Sequence, residues 1–301
     1  MATIALPGTE TVLPDTADAP PARRRRGRNR SGKAGPVTYT LLTLTALVSI
    51  FPLYWTVVAG SQTNAELAAT PPPFLPDADL FENFRLAMEQ APIGKAILNS
   101  ILVSGAITVG TVFFCTLAGF AFAKLQFRGK GLLLSLVIGT MMVPTQLSVI
   151  PLFMMIADLQ WVNQLQAVIL PTLVSAFGVF FMRQYLISSL PNELLEAGRV
   201  DGASTFRIFW SIVVPTARPA MAVLAMLTFL TAGNEFFWPL IALTTANPTV
   251  QVALAGLGSG YVPQQAVIMA GTLLGTLPVL VVFTILGKQI VGGIMQGAVK
   301  G

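Results

Sequence analysis

Six long apolar stretches, separated by shorter polar ones, make up most of this 301-residue chain. They fall at about residues 37–60, 96–123, 131–156, 167–181, 220–243 and 267–287. Each approaches or exceeds the roughly 20 apolar residues that a helix needs to cross a bilayer, so six membrane spans are predicted. Prolines interrupt the pattern: Pro52 predicts a kink in the first stretch, and Pro144 and Pro151 predict breaks in the third. Pro171, Pro239 and Pro278 mark further kinks of the kind that membrane helices tolerate. Between the first two stretches lies a polar segment, residues 61–95, with an amphipathic piece at about 80–91. A Gly/Thr/Pro-rich loop, 244–265, separates the last two.

Composition agrees with this pattern. Hydrophobic residues make up 54% of the chain and charged residues only 10%, against roughly 25% charged in a soluble domain. There is no histidine, which removes the commonest general base, the Ser/His triads and most transition-metal sites. The one cysteine, Cys115, sits mid-stretch and reads as a small buried hydrophobe.

Charge then sets the sides. Seven basic residues crowd the tail at 23–33, three lie at 124–130, four lie between Arg183 and Arg218, and two are near the C-terminus. Sixteen of the eighteen therefore share one side of a six-span chain. The positive-inside rule makes that side cytoplasmic, with both termini on it. This distribution also argues against nucleic acid as the reason for the net charge of +5. Residues 1–35, rich in Pro, Ala and Arg, are expected to be a disordered basic cytoplasmic tail. Gly27, Gly32 and Lys33 nearly match a phosphate-binding loop, but Ala34 replaces the magnesium-holding hydroxyl and no strand precedes them. ATP binding by this chain is not expected. The tail and the long apolar run behind it also fit a retained anchor better than a cleaved signal peptide.

The most informative segment is the charged loop at 190–219. Pro191 suits the first turn of a helix, Glu193 and Glu196 favour its positive N-terminal end, and Arg199 lies toward the other. Asp201-Gly202 reads as a stop. A second helix is expected with Ser204 as its cap and Phe206, Phe209, Trp210 and Val213 on one apolar face, lying along the membrane and closed by Pro215 and Pro219 before the fifth span. A helix of about ten residues is marginal alone in water, so the first needs a surface to dock on. Ala197 and Gly198 are small enough to let another protein approach its backbone.

These residues resemble the cytoplasmic loop of ABC importer permeases. Glu196-Ala197-Gly198, three residues, Gly202, nine residues and Ile212-Val213-Val214-Pro215 match that family's Glu-Ala-Ala, three residues, Gly, nine residues, Ile-x-Leu-Pro. Gly198 replaces an alanine and Val214 a leucine. The neighbouring Asp201 and Ala203 also look like the family. Asn234-Glu235-Phe236 with Trp238-Pro239, and the C-terminal 297–301, are similar to the maltose-type sugar permeases.

The resemblance implies an all-α membrane protein of the type I ABC importer permease fold, with the coupling-helix loop between spans four and five. Residues 36–301 would be the permease domain, with the family core at about 94–290. It also implies a bacterial cytoplasmic membrane location and three partners: a second homologous permease, a cytoplasmic ATPase dimer and an extracytoplasmic solute-binding protein, besides membrane lipid. ATP and magnesium would belong to the ATPase, leaving this chain without a cofactor and without catalysis of its own. The implied cargo is a sugar, oligosaccharide or related polyol; a non-sugar solute is the alternative.

Glu235 is the one ionisable side chain deep in an expected span, where a charge costs roughly 2.5–3.5 kcal/mol on insertion scales. With Asn234 it has three open readings: it lines the solute path, contacts the sister permease, or braces a helix break before Pro239. Gly271 and Gly275 have small-xxx-small spacing and are expected to serve close packing. A secondary transporter would need a coupling-ion site, for which Glu235 alone is thin, and no inverted repeat is visible. An intramembrane enzyme has no paired acids or placed nucleophile to support it.

Overall fold

The computed structural model describes residues 35–259 and 263–298. Contacts divide the chain into two units, residues up to Ser49 and Ile50 onward. The expected basic tail as far as Ala34, with its near-match to a phosphate loop, and residues 299–301 lie outside the described residues.

In chain order the helices are α1 (Pro36–Gly60), α2 (Asn64–Leu67), α3 (Leu80–Gln90), α4 (Ile93–Lys124), α5 (Lys130–Thr140), α6 (Val149–Asp158), α7 (Gln166–Ile169), α8 (Ala176–Ser189), α9 (Asn192–Val200), α10 (Thr205–Ile208), α11 (Val214–Gly233), α12 (Phe237–Ala242), α13 (Val250–Leu257) and α14 (Gln265–Ala298). Four helical runs are long and apolar enough to cross a membrane alone, and six spans result when two bent pairs each count as one. The all-α, six-span expectation therefore holds with spans three and four bent.

The third span departs furthest from a continuous rod. α5 and the run Thr145–Asp158 meet at 95°. Pro144 sits at the corner with extended backbone (φ −59°, ψ 126°), because it has no N–H to continue the ladder and its ring disfavours helix in the residue before it. Pro151, expected to break the span as well, lies in the first turn of α6, where a missing N–H is tolerated.

The fifth span corrects the expectation most. Pro215 and Pro219 do not close an interfacial helix: the run Thr205–Gly233 is continuous, and the loop's second helix becomes the span. A π-helical segment, Phe209–Val213, joins α10 to α11, with the Val214 N–H bonded five residues back to Phe209. Pro215 would drive its ring against the Ser211 carbonyl in a regular α-turn, and the wider π-turn accommodates it. Pro219 lies inside α11 and is carried by it.

α4 is the central post, packed against both α8 and α11, which also touch each other. A Cβ on Gly119 would lie 2.8 Å from Met182 Cβ and 2.9 Å from the Arg183 backbone nitrogen, so glycine permits this close approach to α8. Cys115 is buried where α4 faces Gly178, as the sequence suggested. Gly271 and Gly275 do serve close packing: a methyl on either would strike Leu257 or Val250 of α13, at 2.9 and 2.5 Å. Within a bilayer lipid tails are as apolar as leucine, so such fit, rather than transfer from water, holds the helices together. Leu132, Leu136, Met142 and Ile150 on α5 and its continuation remain exposed, as a lipid-facing surface requires.

The segment after α1 is tied down rather than loose. Thr63 and Glu66 cap α2 reciprocally, and the Thr63 N–H, then its hydroxyl, hold the Glu66 carboxyl below the ordinary range. Buried Asn83 on α3 donates to the Gly60 and Gln62 carbonyls at 3.0 and 2.9 Å. Across the same end of the chain, Asn163 accepts from the Thr244 N–H and hydroxyl at 3.1 and 2.9 Å. It does so from a left-handed backbone (φ 64°), which asparagine tolerates.

Candidate functional site

The loop that carries the motif is two helices joined by a turn. α9 begins after Pro191, has Glu193 in its first turn and Arg199 in its last, and stops at Asp201. The stop is a Schellman closure: the Gly202 N–H bonds Arg199 and the Ala203 N–H bonds Gly198, at 3.0 and 2.9 Å. Gly202 supplies the positive φ of 76° that this closure needs. Ser204 then caps α10, accepting from the Arg207 N–H at 3.3 Å. The Asp201-Gly202-Ala203-Ser204 run is thus one helix ending and another starting, with Gly202 and Ala203 alone between the two caps.

The inner faces of both helices join the core. Leu190 and Leu195 pack with Ile208, Phe209 and Val213, and with Met182 and Leu186 of α8. Lys124, at the end of α4, donates to Asn192 at 3.0 Å. The loop is therefore fixed to α4, α8 and α11 together, and a push on α9 is a push on the spans.

Of the motif residues, Glu193, Glu196, Ala197, Asp201 and Gly202 are exposed. Gly198 is not. It is buried, and a Cβ there would lie 3.1 Å from Ile212 Cδ1 and 3.4 Å from Ile208 Cγ1. Its small size serves the contact between this chain's own two helices, not the approach of another protein. Ile212 is the far side of that contact and Ala203 is half-buried over it. Phe206 and Trp210 also depart from expectation. Phe209 and Val213 face the core with Ile208, whereas Phe206 is 66% exposed and Trp210 47%.

The sequence reading missed part of the outward face. Val200 is 88% exposed and Leu194 47%, and Glu193, Glu196, Ala197 and Val200 follow i, i+3, i+4, i+7 spacing on one stripe of α9. Two carboxylates beside open aliphatic side chains make a face suited to a protein surface. The signal was present: Leu195 and Gly198 share the buried stripe, which leaves Val200 on the opposite side. Among the described residues the acids of this loop form no ion pair.

The second constellation lies at the end of α11. Asn234 caps that helix, and its side chain donates to the Leu230 carbonyl at 2.8 Å. Glu235 stands in the break and accepts from the Phe237 and Trp238 N–H groups at 3.0 and 3.3 Å, capping α12. Trp238 then donates its indole N–H to the Ala167 carbonyl at 3.0 Å, pinning α12 to α7. Of the three open readings, the brace of a helix break is what the contacts make.

The same carboxylate also faces a hollow of about 460 Å³ walled by α4, α8 and α11, with Thr111, Ser175, Phe177, Thr228 and Trp238 among its lining. Asn234 does not share it; it lines a smaller hollow of about 150 Å³ toward α13 and α14. The two neighbours in sequence therefore look into different spaces. The larger is mostly apolar with a few convergent hydroxyls and one acid, the usual make-up of a small-molecule site. Among the described residues no three His, Cys, Asp or Glu side chains gather as a metal site would require.

Comparison with known proteins agrees with this geometry. Residues 115–294 match the family described as Binding-protein-dependent transport system inner membrane component. The chain is 31% identical over 277 residues, 89% of its length and 99% of the relative's, to the arabinooligosaccharides transport system permease protein AraQ of Halalkalibacterium halodurans. It is 33% identical over 265 residues to the lactose transport system permease protein LacG of Rhizobium radiobacter, covering 88% of this chain and 96% of that one. Its fold is similar to a chain in the crystal structure of a bacterial ABC transporter involved in the import of the acidic polysaccharide alginate (TM-score 0.71, 22% identity, covering 84% of this chain and 94% of that one).

Proposed function

Because this chain belongs to the binding-protein-dependent transport system inner membrane component family, we propose that it is the half of an ATP-driven importer that carries a neutral sugar or oligosaccharide through the bacterial cytoplasmic membrane. The observation that carries this reading is the coupling of the two constellations. α9, with its outward carboxylates and open aliphatic side chains, is fixed through Phe209 and Val213 to the helix that ends at the Glu235 cavity.

The division of labour follows. A solute-binding protein delivers cargo on the side of α3 and α13. A sister permease supplies the facing wall of the path. An ATPase dimer grips α9 on the cytoplasmic side, where sixteen of the eighteen basic residues fall. Shifting a two-state permease from one extreme to the other takes about 5.5 kcal/mol of differential binding; closure of the ATPase dimer around ATP supplies it, and this chain adds no catalysis or cofactor. A neutral cargo is favoured because, among the described residues, the cavity wall carries one ionisable group, the Glu235 carboxylate, and no base to meet an anion. The relatives named for arabinooligosaccharides and lactose point the same way, whereas relatives 30–31% identical are named for sn-glycerol-3-phosphate, an anion, so the choice of a neutral cargo rests on the cavity wall.

Uptake of labelled neutral di- and oligosaccharides, against an acidic oligosaccharide, by cells carrying the complete transporter tests this. Saturable, ATP-dependent uptake of a neutral sugar is expected. Uptake confined to the acidic one, or persisting without the ATPase, would contradict it.

A further inference from the structure

Two spans are interrupted beside the Glu235 hollow. Span four bends by 41° between the run Gln166–Thr172 and α8, and α11 ends at Gly233, ahead of α12. Irregular backbone at membrane depth is tolerated where it lines a cavity. Each interruption turns its capping side chain into this one: Ser175 at the start of α8 and Glu235 at the start of α12.

The hydroxyls of the wall are not equivalent. Thr172 and Thr231 donate one turn back along their own chain, to the Val168 and Leu227 carbonyls at 2.9 Å each. Thr111 gives its hydrogen to the Thr172 carbonyl at 3.4 Å. Those three are engaged as donors. Thr228 is not: half-buried on α11 with its side chain in the wall, its hydroxyl makes no hydrogen bond among the described residues. A helical threonine commonly returns its hydroxyl to the carbonyl four residues back, as Thr216 and Thr231 of the same helix do at 2.7 and 2.9 Å. Ser175 accepts from the Gly178 N–H at 2.9 Å and keeps its own hydrogen to give. Glu235 uses one oxygen, Oε1, for the Phe237 and Trp238 N–H groups, which leaves Oε2 open. Two donors and a charged acceptor therefore remain for a guest, beside the apolar ring of Phe177. A sugar hydroxyl both donates and accepts, and the C–H face of a sugar ring is apolar, so this is a wall that a sugar can satisfy on both counts.

We propose that Thr228 is a specificity-determining residue of the permease itself: with Ser175 and Glu235 Oε2 it reads the configuration of one hydroxyl on the passing sugar, a selection made after the solute-binding protein has released its cargo. The proposal rests on the neutral-sugar reading of the same hollow and adds that the hollow distinguishes one neutral sugar from another.

The test uses the complete transporter in proteoliposomes, with unmodified solute-binding protein loaded to the same occupancy for every sugar. Uptake is compared within two pairs of labelled neutral disaccharides, lactose with cellobiose and melibiose with isomaltose, whose members differ in the configuration of one hydroxyl. Wild type is expected to carry one member of a pair faster than the other. Thr228→Val, which keeps the branched shape and removes the hydroxyl, should narrow that ratio by about 2–12-fold, the contribution of one hydrogen bond. Thr228→Ser, which keeps the hydroxyl, should keep the ratio; co-purification with the ATPase verifies that each variant assembles. A merely structural role would lower both members of a pair alike in both variants, and that result would overturn the proposal. So would a ratio unchanged in Thr228→Val, or equal uptake within each pair by wild type. Wild-type uptake of none of the four sugars would instead remove the neutral-sugar reading, and this proposal with it.

Discussion

The Ala203 N–H reaches back to the Gly198 carbonyl at 2.9 Å, and this one bond sets where α9 ends and how it meets α10. Gly202, held at φ 76° between the two residues, is what allows it. A side chain in that conformation costs about 1–2 kcal/mol, and a difference of that size changes a two-state ratio roughly 5–30-fold. Gly202→Ala is therefore expected to loosen the ATPase from the purified complex, and Gly202→Asn, which tolerates the left-handed region, to do so less. Equal co-purification in wild type and both variants would remove the turn from the coupling path.

Gly198 gives a compensation test. Its added Cβ would meet Ile212 Cδ1 at 3.1 Å, an overpacked contact of the kind that costs about 1–3 kcal/mol when it cannot relax. Gly198→Ala should lower the thermal midpoint of the complex, and Ile212→Val, which removes the opposing methyl, should restore part of the loss when combined with it. Strict additivity of the two changes would mean that the residues do not meet.

Much of this was legible in the sequence, and the misses share a cause. The six apolar stretches, their sides, the Ser204 cap and the Gly202 stop depend on local chemistry and short spacings. The continuity through Pro215 was not legible, because proline's local rule is to stop a helix, while a π-turn lets the chain go round it. The smallness of Gly198 is visible in the sequence, but the neighbour it serves, Ile212, is fourteen residues away and only the fold brings it there. A regular α-period puts Phe206 and Trp210 on one face with Phe209, and the π-turn at Phe209–Val213 interrupts that period. Asn234 and Glu235 are neighbours in sequence, but the break between α11 and α12, which has no local signature, turns them into separate hollows.

The Pro215 joint yields its own expectation. Pro215→Ala restores an N–H and removes the ring that favours the π-turn, so the segment is free to close into a regular helix. Assembly should be retained while solute-stimulated ATP hydrolysis falls, since the docking loop then meets α11 in a different register. Full stimulation in this variant would show that the π-turn is incidental to coupling.

Glu235 separates its two roles by substitution. Gln keeps an oxygen to cap Phe237 and Trp238 but carries no charge, whereas Ala loses the cap, worth about 0.5–2 kcal/mol. Glu235→Gln is expected to keep thermal stability and lower uptake; Glu235→Ala should lower both. Normal uptake by the Gln variant would confine this residue to bracing the break.

The central claim is that the outward stripe of α9 is where the ATPase grips. A photo-cross-linking residue at Val200, 88% exposed beside Glu196 and Ala197, reports its neighbour in the assembled transporter directly. The expected product has the mass of this chain joined to the ATPase and is absent when the probe sits at Phe81 on α3. A Val200 probe that captures lipid or the sister permease and never the ATPase would contradict it.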